Sequence, residues 1–213
     1  MRFVVLLQTK ILSFILRNIN ANYYDGFSKF KIINKIWNNI KLDSINGDYI
    51  EFGILNGKTL HHSYKVSRKL MLNKDRKFWG LDSFEGFPVE NHDFYKNMNF
   101  QSSFKKTTER FRNYPEVNIV KGFFKDSLSL EKLSSVDQFS FVFVDCDIYE
   151  SSLEVFPYIK KRISTGSFIM IDDFSSVDRN GNSIAKAFMH EFKINEDVIV
   201  FDYFSNGIVF RLI

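Results

Sequence analysis

The run Phe139-Ser-Phe-Val-Phe-Val144 is the most strand-like stretch of this 213-residue chain. It is nearly continuous in apolar and β-forming residues, which is typical of a strand that is buried on both faces of a sheet. Such strands occur where helices cover both sides of a parallel sheet, and Asp145 follows directly at the end of this one. The run therefore predicts an α/β domain with its ligand site at the carboxyl ends of the strands.

The other segments alternate between strand and helix. Further strands are predicted over 49–52, 77–82, 117–120, 166–171, 198–201 and 207–210, and helices over 20–45, 58–72, 149–162 and 181–193. Because the last two strands are close in sequence, they predict an antiparallel hairpin at the edge of the sheet. The expected α/β fold is a mostly parallel central sheet with helices on both faces, a C-terminal antiparallel edge hairpin and extra N-terminal helices.

The N-terminal residues 1–46 are expected to form a helical extension to a main domain over 47–213, as a lid or an oligomer contact. The apolar segment 3–18 is interrupted at Gln8, Thr9 and Lys10 and is too short for the roughly 18 apolar residues of a membrane span. It predicts an amphipathic helix that packs on the domain, on a second subunit or on a membrane surface. Within 20–45, an apolar stripe at helical spacing indicates core or dimer packing: Phe27, Phe30, Ile33, Ile36 and Trp37.

Composition excludes several classes of protein. Hydrophobic residues make up 45% of the chain and charged residues 25%, as in ordinary globular proteins. The net charge of +4 is too small to indicate a nucleic-acid partner. Cys146 is the single cysteine, so no disulfide forms within the chain and the expected location is the cytoplasm, with peripheral membrane contact left open. The aspartates on either side of Cys146 disfavour a reactive thiolate.

A strand that turns over glycines into a helix is predicted across 47–60. Gly53 and Gly57 lie in the turn, which brings backbone and a helix N-terminus close to a ligand. Glu51 precedes the first glycine, and the spacing differs from the GxGxxG of dinucleotide folds, which disfavours an NAD-dependent enzyme. An acid there suits a cationic group such as the amine of S-adenosylmethionine (SAM). Asp82, at the end of the next strand, can bind both hydroxyls of a ribose.

Several predicted strands end in acidic residues. Asp145 follows one strand, and Asp172 and Asp173 follow the next, so these carboxylates are expected to meet at one edge of the sheet. Carboxylates without a cation repel each other, and an all-oxygen ligand set favours Mg²⁺, with Ca²⁺ or Mn²⁺ as alternatives. The competing interpretation is that Asp172 and Asp173 cap the following turn and that Asp147 is solvated.

Residues 89–115 are predicted to form a loop and then a helix around 104–114, and this insert is a candidate lid beside the ligand site. His92 lies in the insert and is the one histidine that we would test as a base. No Cys/His zinc pattern occurs in the sequence.

Five stretches, taken in order, resemble the macrocin-O-methyltransferase (TylF/MycF-type) family over about residues 47–193. The stretches are Tyr49-Ile-Glu-Phe-Gly-Ile-Leu-Asn-Gly57, Leu81-Asp-Ser-Phe-Glu-Gly-Phe-Pro88, Val120-Lys-Gly-Phe-Phe-Lys-Asp-Ser-Leu128, Val144-Asp-Cys-Asp-Ile-Tyr-Glu-Ser-Ser152 and Ile171-Asp-Asp-Phe174. The resemblance implies a Rossmann-like class I methyltransferase that uses SAM and a metal ion to methylate a sugar hydroxyl.

The resemblance also implies roles for single residues. Glu51, Gly53 and Gly57 would hold the methionine end of SAM, and Phe52 and Thr59 are counted with this site. Asp82 and Ser83 would bind the ribose, and Gly122 and Phe123 would lie near the adenine. Asp145, Asp172 and Asp173 would bind Mg²⁺. The general base would be Asp145, Asp147 or His92.

The sequence departs from the family pattern at two places. Phe174 follows the paired aspartates where relatives usually carry a tyrosine, and residues 89–115 lack the expected tryptophan–lysine–glycine pattern. The acceptor is therefore left open between a sugar of a surface polysaccharide and a natural-product glycan. Alternatives are a phenol or amine acceptor, or a non-catalytic Rossmann-like binding protein. A homo-oligomer is also left open.

Overall fold

The computed structural model describes residues 21–88 and 100–213. The strands are β1 (Asp48–Phe52), β2 (Phe78–Asp82), β3 (Val117–Lys121), β4 (Phe139–Val144), β5 (Ile163–Ile171), β6 (Val198–Phe204) and β7 (Gly207–Leu212). The helices are α1 (Ala21–Leu42), α2 (Lys58–Lys69), α3 (Phe104–Phe111), α4 (Phe124–Ser127), α5 (Glu131–Ser134), α6 (Tyr149–Lys160) and α7 (Ile184–Glu191). The predicted helix over 3–18 and residues 89–99 of the candidate lid, with His92, lie outside the described residues.

Within these two described ranges, the strands form one sheet in the order β3-β2-β1-β4-β5-β7-β6. The first five strands of this order pair in parallel, and β7 runs antiparallel to both β5 and β6. The mostly parallel sheet and the C-terminal edge hairpin are thus confirmed, with the reversed strand β7 as the inner strand of the hairpin. The chain order reverses between β1 and β4, which is where α/β sheets of this kind bind ligands.

Strand β4 lies at the centre of two hydrophobic cores, one on each face of the sheet. Every residue of β4 is buried, as the continuous apolar run predicts. Phe141 and Phe143 pack into the core that also holds Trp37 and Tyr49. Val142 and Val144 belong to the opposite core, with residues of α6 and α7. This alternation buries both faces, so truncation of Phe141 to alanine is expected to cost about 3–5 kcal/mol.

Helix α1 is packed into the core that also holds Phe141 and Phe143. The side chains of Ile33, Ile36 and Trp37 are fully buried, so this part of the predicted stripe is core. The indole Nε1–H of Trp37 donates a 2.8 Å hydrogen bond to Ser63 Oγ on α2. Phe27, by contrast, is 66% exposed. In the described part of the chain, no helix has the length and apolar character to cross a membrane.

Candidate active site

A cavity of about 250 Å³ lies at the carboxyl ends of the central strands. Five residues of the predicted SAM site line it, namely Gly53, Asp82, Ser83, Gly122 and Phe123. Asp145 and Asp147, which follow β4, line it as well. The sheet therefore brings the ends of β1, β2, β3 and β4 to one cavity, as the parallel arrangement predicts.

Gly53 is required by a close approach between two strand ends. Its φ is +87°, and a β-carbon at this position would lie 1.9 Å from the backbone carbonyl oxygen of Asp145. Gly57 caps the start of α2 with φ +71°, and a β-carbon there would lie 2.6 Å from the Phe111 ring. The predicted turn is confirmed. At both glycines, the group that a β-carbon would meet belongs to the protein chain, namely the Asp145 backbone and the Phe111 ring.

Asp82 is held by the loops that follow β1 and β2. Its Oδ2 accepts a 2.7 Å hydrogen bond from the Leu55 N–H, and its Oδ1 accepts one of 2.6 Å from the Phe84 N–H. Burial raises the pKa of Asp82, and these two backbone donors lower it. Each carboxylate oxygen retains a further lone pair, so Asp82 can still accept hydrogen bonds from two ligand hydroxyls.

Four strand ends at the site carry a non-glycine residue in the left-handed backbone region. These residues are Leu55 after β1, Phe84 after β2, Asp147 after β4 and Asp173 after β5, with φ between 47° and 62°. Such conformations cost about 1–3 kcal/mol each and persist only where the surrounding structure holds them. Leu55 and Asp147 line the cavity, and strained residues of this kind are common at functional sites.

The acidic residues after β4 and β5 share a cation from α1. Lys29 Nζ donates to Asp172 Oδ2 and lies 3.6 Å from Asp145 Oδ2. It also lies 3.3 Å from Oδ2 of Asp25, one helical turn earlier on α1. Burial lowers the pKa of the Lys29 ammonium, but Asp145, Asp172 and Asp25 outweigh this effect and raise the pKa above its ordinary value. Lys29 is therefore a permanent cation at the strand ends.

The carboxylates of this cluster greatly outnumber the cation. Burial, and next the nearby Asp172, raise the pKa of Asp145 well above its ordinary value, although Lys29 opposes this. Burial, with Asp173 and Asp172, raises the pKa of Asp147 to about 7. One oxygen of Asp172, Oδ1, is buried and has no hydrogen-bond partner. The positive charge of Lys29 thus offsets only part of the negative charge that these carboxyl groups carry when they are ionised.

The chemistry of this donor set fits Mg²⁺, because carboxylate oxygens are the protein ligands that hard divalent cations prefer. The unpartnered Oδ1 of Asp172 offers such a donor. Within residues 21–88 and 100–213, however, no group of three Asp, Glu, His or Cys side chains is arranged to hold a metal ion. The ammonium of Lys29 bonds to the other oxygen of Asp172. The oxygen ligands that Mg²⁺ prefers are therefore present, and Lys29 occupies one of them, Asp172 Oδ2.

Glu51, expected at the amine of SAM, is fully buried within β1. Its Oε2 accepts a 2.6 Å hydrogen bond from the Tyr49 hydroxyl, and its Oε1 has no partner. Burial raises the pKa of Glu51 to about 8, and hydrogen bonds from Tyr49 and Thr59 and the charge of Lys29 lower it. Phe52 is also fully buried, and its ring packs edge-to-face against Phe124.

Two further residues of the site, Lys29 and Glu150, have no role predicted from the sequence, and a third, Cys146, was predicted to be unreactive. Lys29 lies four residues before Ile33 and seven before Ile36, so its position on the buried face of α1 could have been read from the helical period. Glu150 lines the cavity with a buried Oε2 that has no partner. Burial raises the pKa of Cys146 to about 12, which agrees with the expectation that this thiol is not a nucleophile.

Comparison with known proteins places this architecture among methyltransferases. The structure of the O-methyltransferase NovP superposes with a TM-score of 0.72 at 22% identity, over 87% of this chain and 79% of that one. The likeness shows that the fold is that of a class I methyltransferase.

Two of the curated relatives that match at the level of sequence show the range of the similarity. Demethyldecarbamoylnovobiocin O-methyltransferase from Streptomyces niveus is 23% identical over 197 residues, which cover 86% of this chain and 73% of the relative. The second, from Streptomyces olivaceus, is 8-demethyl-8-(2,3-dimethoxy-alpha-L-rhamnosyl)-tetracenomycin-C 4'-O-methyltransferase, 26% identical over 149 residues. That match covers 62% of this chain and 55% of the relative, so the chain spans about half the length of that enzyme.

The sequence profile of the macrocin-O-methyltransferase (TylF) family matches residues 22–211. The match takes in α1 and the C-terminal hairpin, and is thus longer than the stretch over 47–193 that carries the five motifs. It covers all the strands whose ends line the cavity, and the lysine of α1 as well. The chain therefore belongs to the macrocin-O-methyltransferase (TylF) family and is a methyltransferase.

Proposed function

We propose that this protein is a SAM-dependent O-methyltransferase that acts on a sugar hydroxyl, with a divalent cation, Mg²⁺ first, at the acidic strand ends. The observation that carries the proposal is the single cavity that joins Asp82 on one side to Asp145 and Asp147 on the other. A nucleoside and an acceptor hydroxyl would meet in such a cavity. The rhamnosyl group in the name of the tetracenomycin relative supports a sugar as the acceptor class.

The β1, β2 and β3 ends are proposed to hold SAM. Asp82 has its carboxylate oriented by two backbone N–H groups and keeps lone pairs for the ribose hydroxyls. Ser83 lies beside it, and Gly122 and Phe123 would form the wall at the adenine. SAM supplies a methyl group on a positively charged sulfur, and the acidic end of the cavity favours binding of that charge.

The β4 and β5 ends are proposed to hold the cation and the acceptor. Asp145, Asp172 and Asp173 would bind Mg²⁺, which would lower the pKa of a hydroxyl bound to it. Asp147 lines the cavity and is our choice of proton acceptor, while Asp145 and His92 remain alternatives. In the proposed reaction the acceptor oxygen would bond to the methyl carbon as the carbon–sulfur bond breaks, with its electron pair left on sulfur. The hydroxyl proton would pass to the carboxylate of Asp147.

Calorimetric titration with SAM and with S-adenosylhomocysteine, each with and without Mg²⁺, tests the cofactor. Both nucleosides are expected to bind to the wild-type protein. Absence of binding in every condition would exclude a SAM-dependent enzyme. A screen of nucleotide sugars and glycans, run beside a phenol and an amine, then tests the acceptor class. Methylation of a phenol or an amine, but no sugar, would contradict the sugar assignment and leave the methyltransferase activity in place.

A further inference from the structure

We propose that the ammonium of Lys29 is a built-in competitor of the divalent cation, which occupies Asp145 and Asp172 until the metal ion displaces it. The inference rests on the proposed function, because it concerns the same carboxylates that are assigned to Mg²⁺. It adds a residue of α1, from outside the five sequence motifs, to the control of the metal site.

The geometry places the two cations in competition for the same carboxylates. Lys29 Nζ bonds to Asp172 Oδ2 and lies 3.6 Å from Asp145 Oδ2, so it sits between the carboxylates of two neighbouring strands. Mg²⁺ binds its oxygen ligands at roughly 2.1 Å and needs the same two carboxylates. An ammonium and a divalent ion compete for Asp172 Oδ2 and for the space beside Asp145 Oδ2, because their like charges repel at this distance.

Burial makes this lysine more than a surface ion pair. The Lys29 side chain is 15% exposed and that of Asp172 is 8% exposed. Charges so far removed from water require a partner, and Lys29 supplies one for Asp172. The lysine nevertheless leaves Oδ1 of Asp172 buried without a hydrogen bond. The charge of Lys29 therefore offsets that of Asp172 when no metal ion is bound, and Asp172 Oδ1 remains available as a metal ligand.

Lys29 has a second position available when it leaves the acids. Asp25 lies one helical turn away on α1, 3.3 Å from the ammonium, and its side chain is 33% exposed. Rotation of the lysine side chain toward Asp25 would keep an ion pair and free the strand ends. Helix α1 can stay in place during this exchange, because its fully buried Ile36 and Trp37 and the Trp37–Ser63 hydrogen bond hold it against the core and α2.

Mn²⁺ binding, measured by the electron paramagnetic resonance of free Mn²⁺, tests the competition. The comparison uses the wild-type protein, Lys29→Met, Lys29→Arg and Lys35→Met, the last a lysine on the same helix that pairs with Asp202. Lys29→Met is expected to bind Mn²⁺ about tenfold tighter or more, within the usual range of coupling between two ligands. Lys29→Arg and Lys35→Met should bind like the wild type. Equal or weaker binding by Lys29→Met would overturn the inference.

A second measurement uses the unmodified sequence and does not depend on how well a variant folds. Amine acetylation with mass spectrometry reports the accessibility of each lysine, with and without Mg²⁺. Labelling of Lys29 is expected to rise several-fold when Mg²⁺ is added, and that of Lys35 should not change. Unchanged labelling of Lys29 at a Mg²⁺ concentration that saturates the site would overturn the inference.

SAM titrations on the same samples separate this inference from the proposed function. If SAM binds but the Lys29 substitution leaves Mn²⁺ affinity unchanged, the competition is wrong and the methyltransferase assignment stands. If neither the wild type nor Lys29→Met binds Mn²⁺, both the competition and the metal site are wrong. If Lys29→Met gains Mn²⁺ affinity but SAM does not bind to any sample, the competition stands and the proposed cofactor falls.

Discussion

Gly53 and Asp145 approach so closely that a β-carbon at position 53 would lie 1.9 Å from the carbonyl oxygen of Asp145. The contact joins the end of β1 to the end of β4, which pair in parallel at the centre of the sheet. The N–H of Asp145 also donates a 2.9 Å hydrogen bond to the Phe52 carbonyl, one residue before the glycine. The two halves of the cavity therefore meet at a point where only glycine fits.

Gly53→Ala is expected to destabilise the fold and to weaken SAM binding, because β1 and β4 must separate to make room for the methyl group. The expected loss is about 2 kcal/mol or more in the free energy of unfolding. Gly26→Ala is the control, since Gly26 lies in α1 with nothing within 4 Å of the added carbon. It should stabilise the helix by about 0.5–1 kcal/mol. Urea unfolding compares the two, and equal stability of both variants would contradict the steric argument.

Asp82→Asn tests the ribose assignment. The substitution keeps the shape of the side chain but replaces one acceptor oxygen with an NH₂ donor, which faces a backbone N–H from Leu55 or Phe84. The affinity for SAM is expected to fall about tenfold or more, which corresponds to about 1.4 kcal/mol. Asp43→Asn, in an exposed ion pair with Arg211, is the control and should bind SAM normally. An unchanged affinity for Asp82→Asn would reject the ribose role.

Asp173→Asn separates metal binding from folding. Asp173 has φ +47°, and asparagine tolerates this left-handed conformation as aspartate does, so the fold should survive. Turnover is expected to fall about a hundredfold or more, because the proposed metal site loses one negative charge and keeps only a neutral amide oxygen at this position. EDTA should have the same effect on the wild type, and added Mg²⁺ should restore the rate. Full activity in EDTA would remove the metal from the proposal.

The strands that carry the site were predictable because their apolar runs and terminal acids are local signals. The run over Phe139–Val144 is β4, and the acids after β4 and β5 do lie together. Strand limits were harder where a strand bulges. Strand β5 begins at Ile163, whereas the prediction starts at Gly166, because the register shifts between Phe139 and Phe141 and the glycine lies within this irregular pairing. Because glycine is common both in bulges and at strand ends, the sequence alone does not show that β5 continues before Gly166.

The role of Lys29 was not predicted, because it depends on contacts between distant parts of the chain. The stripe on α1 is defined by apolar residues, and a lysine on that face is explained only once Asp145 and Asp172 are known to meet it. The burial of Glu51 has a similar origin. An acid before a glycine predicts a ligand contact, and that role stays a prediction, but the sequence does not show that this side chain is buried in β1 and accepts a hydrogen bond from the Tyr49 hydroxyl.

The buried Glu51 predicts an unusual dependence of stability on pH. Its pKa rises from an ordinary 4.5 to about 8 in the folded protein, chiefly through burial. The folded state therefore holds a proton that the unfolded state has released, so this group's stabilising contribution is lost as pH rises between about 4.5 and about 8. The slope is at most about 1.4 kcal/mol per pH unit over this window.

Glu51→Gln should remove that slope, because the amide mimics the protonated carboxyl and its oxygen can still accept from the Tyr49 hydroxyl. Urea unfolding of both proteins at pH 5.0, 6.5 and 8.0, about evenly spaced through the window, measures the difference. The variant is expected to match the wild type at the lowest pH and to be more stable at the highest. Glu85→Gln, on an exposed side chain paired with Lys121, is the control and should follow the wild type throughout. Parallel curves for Glu51→Gln and the wild type would mean that Glu51 is ionised in the folded protein, and that the charge of Lys29 outweighs its burial.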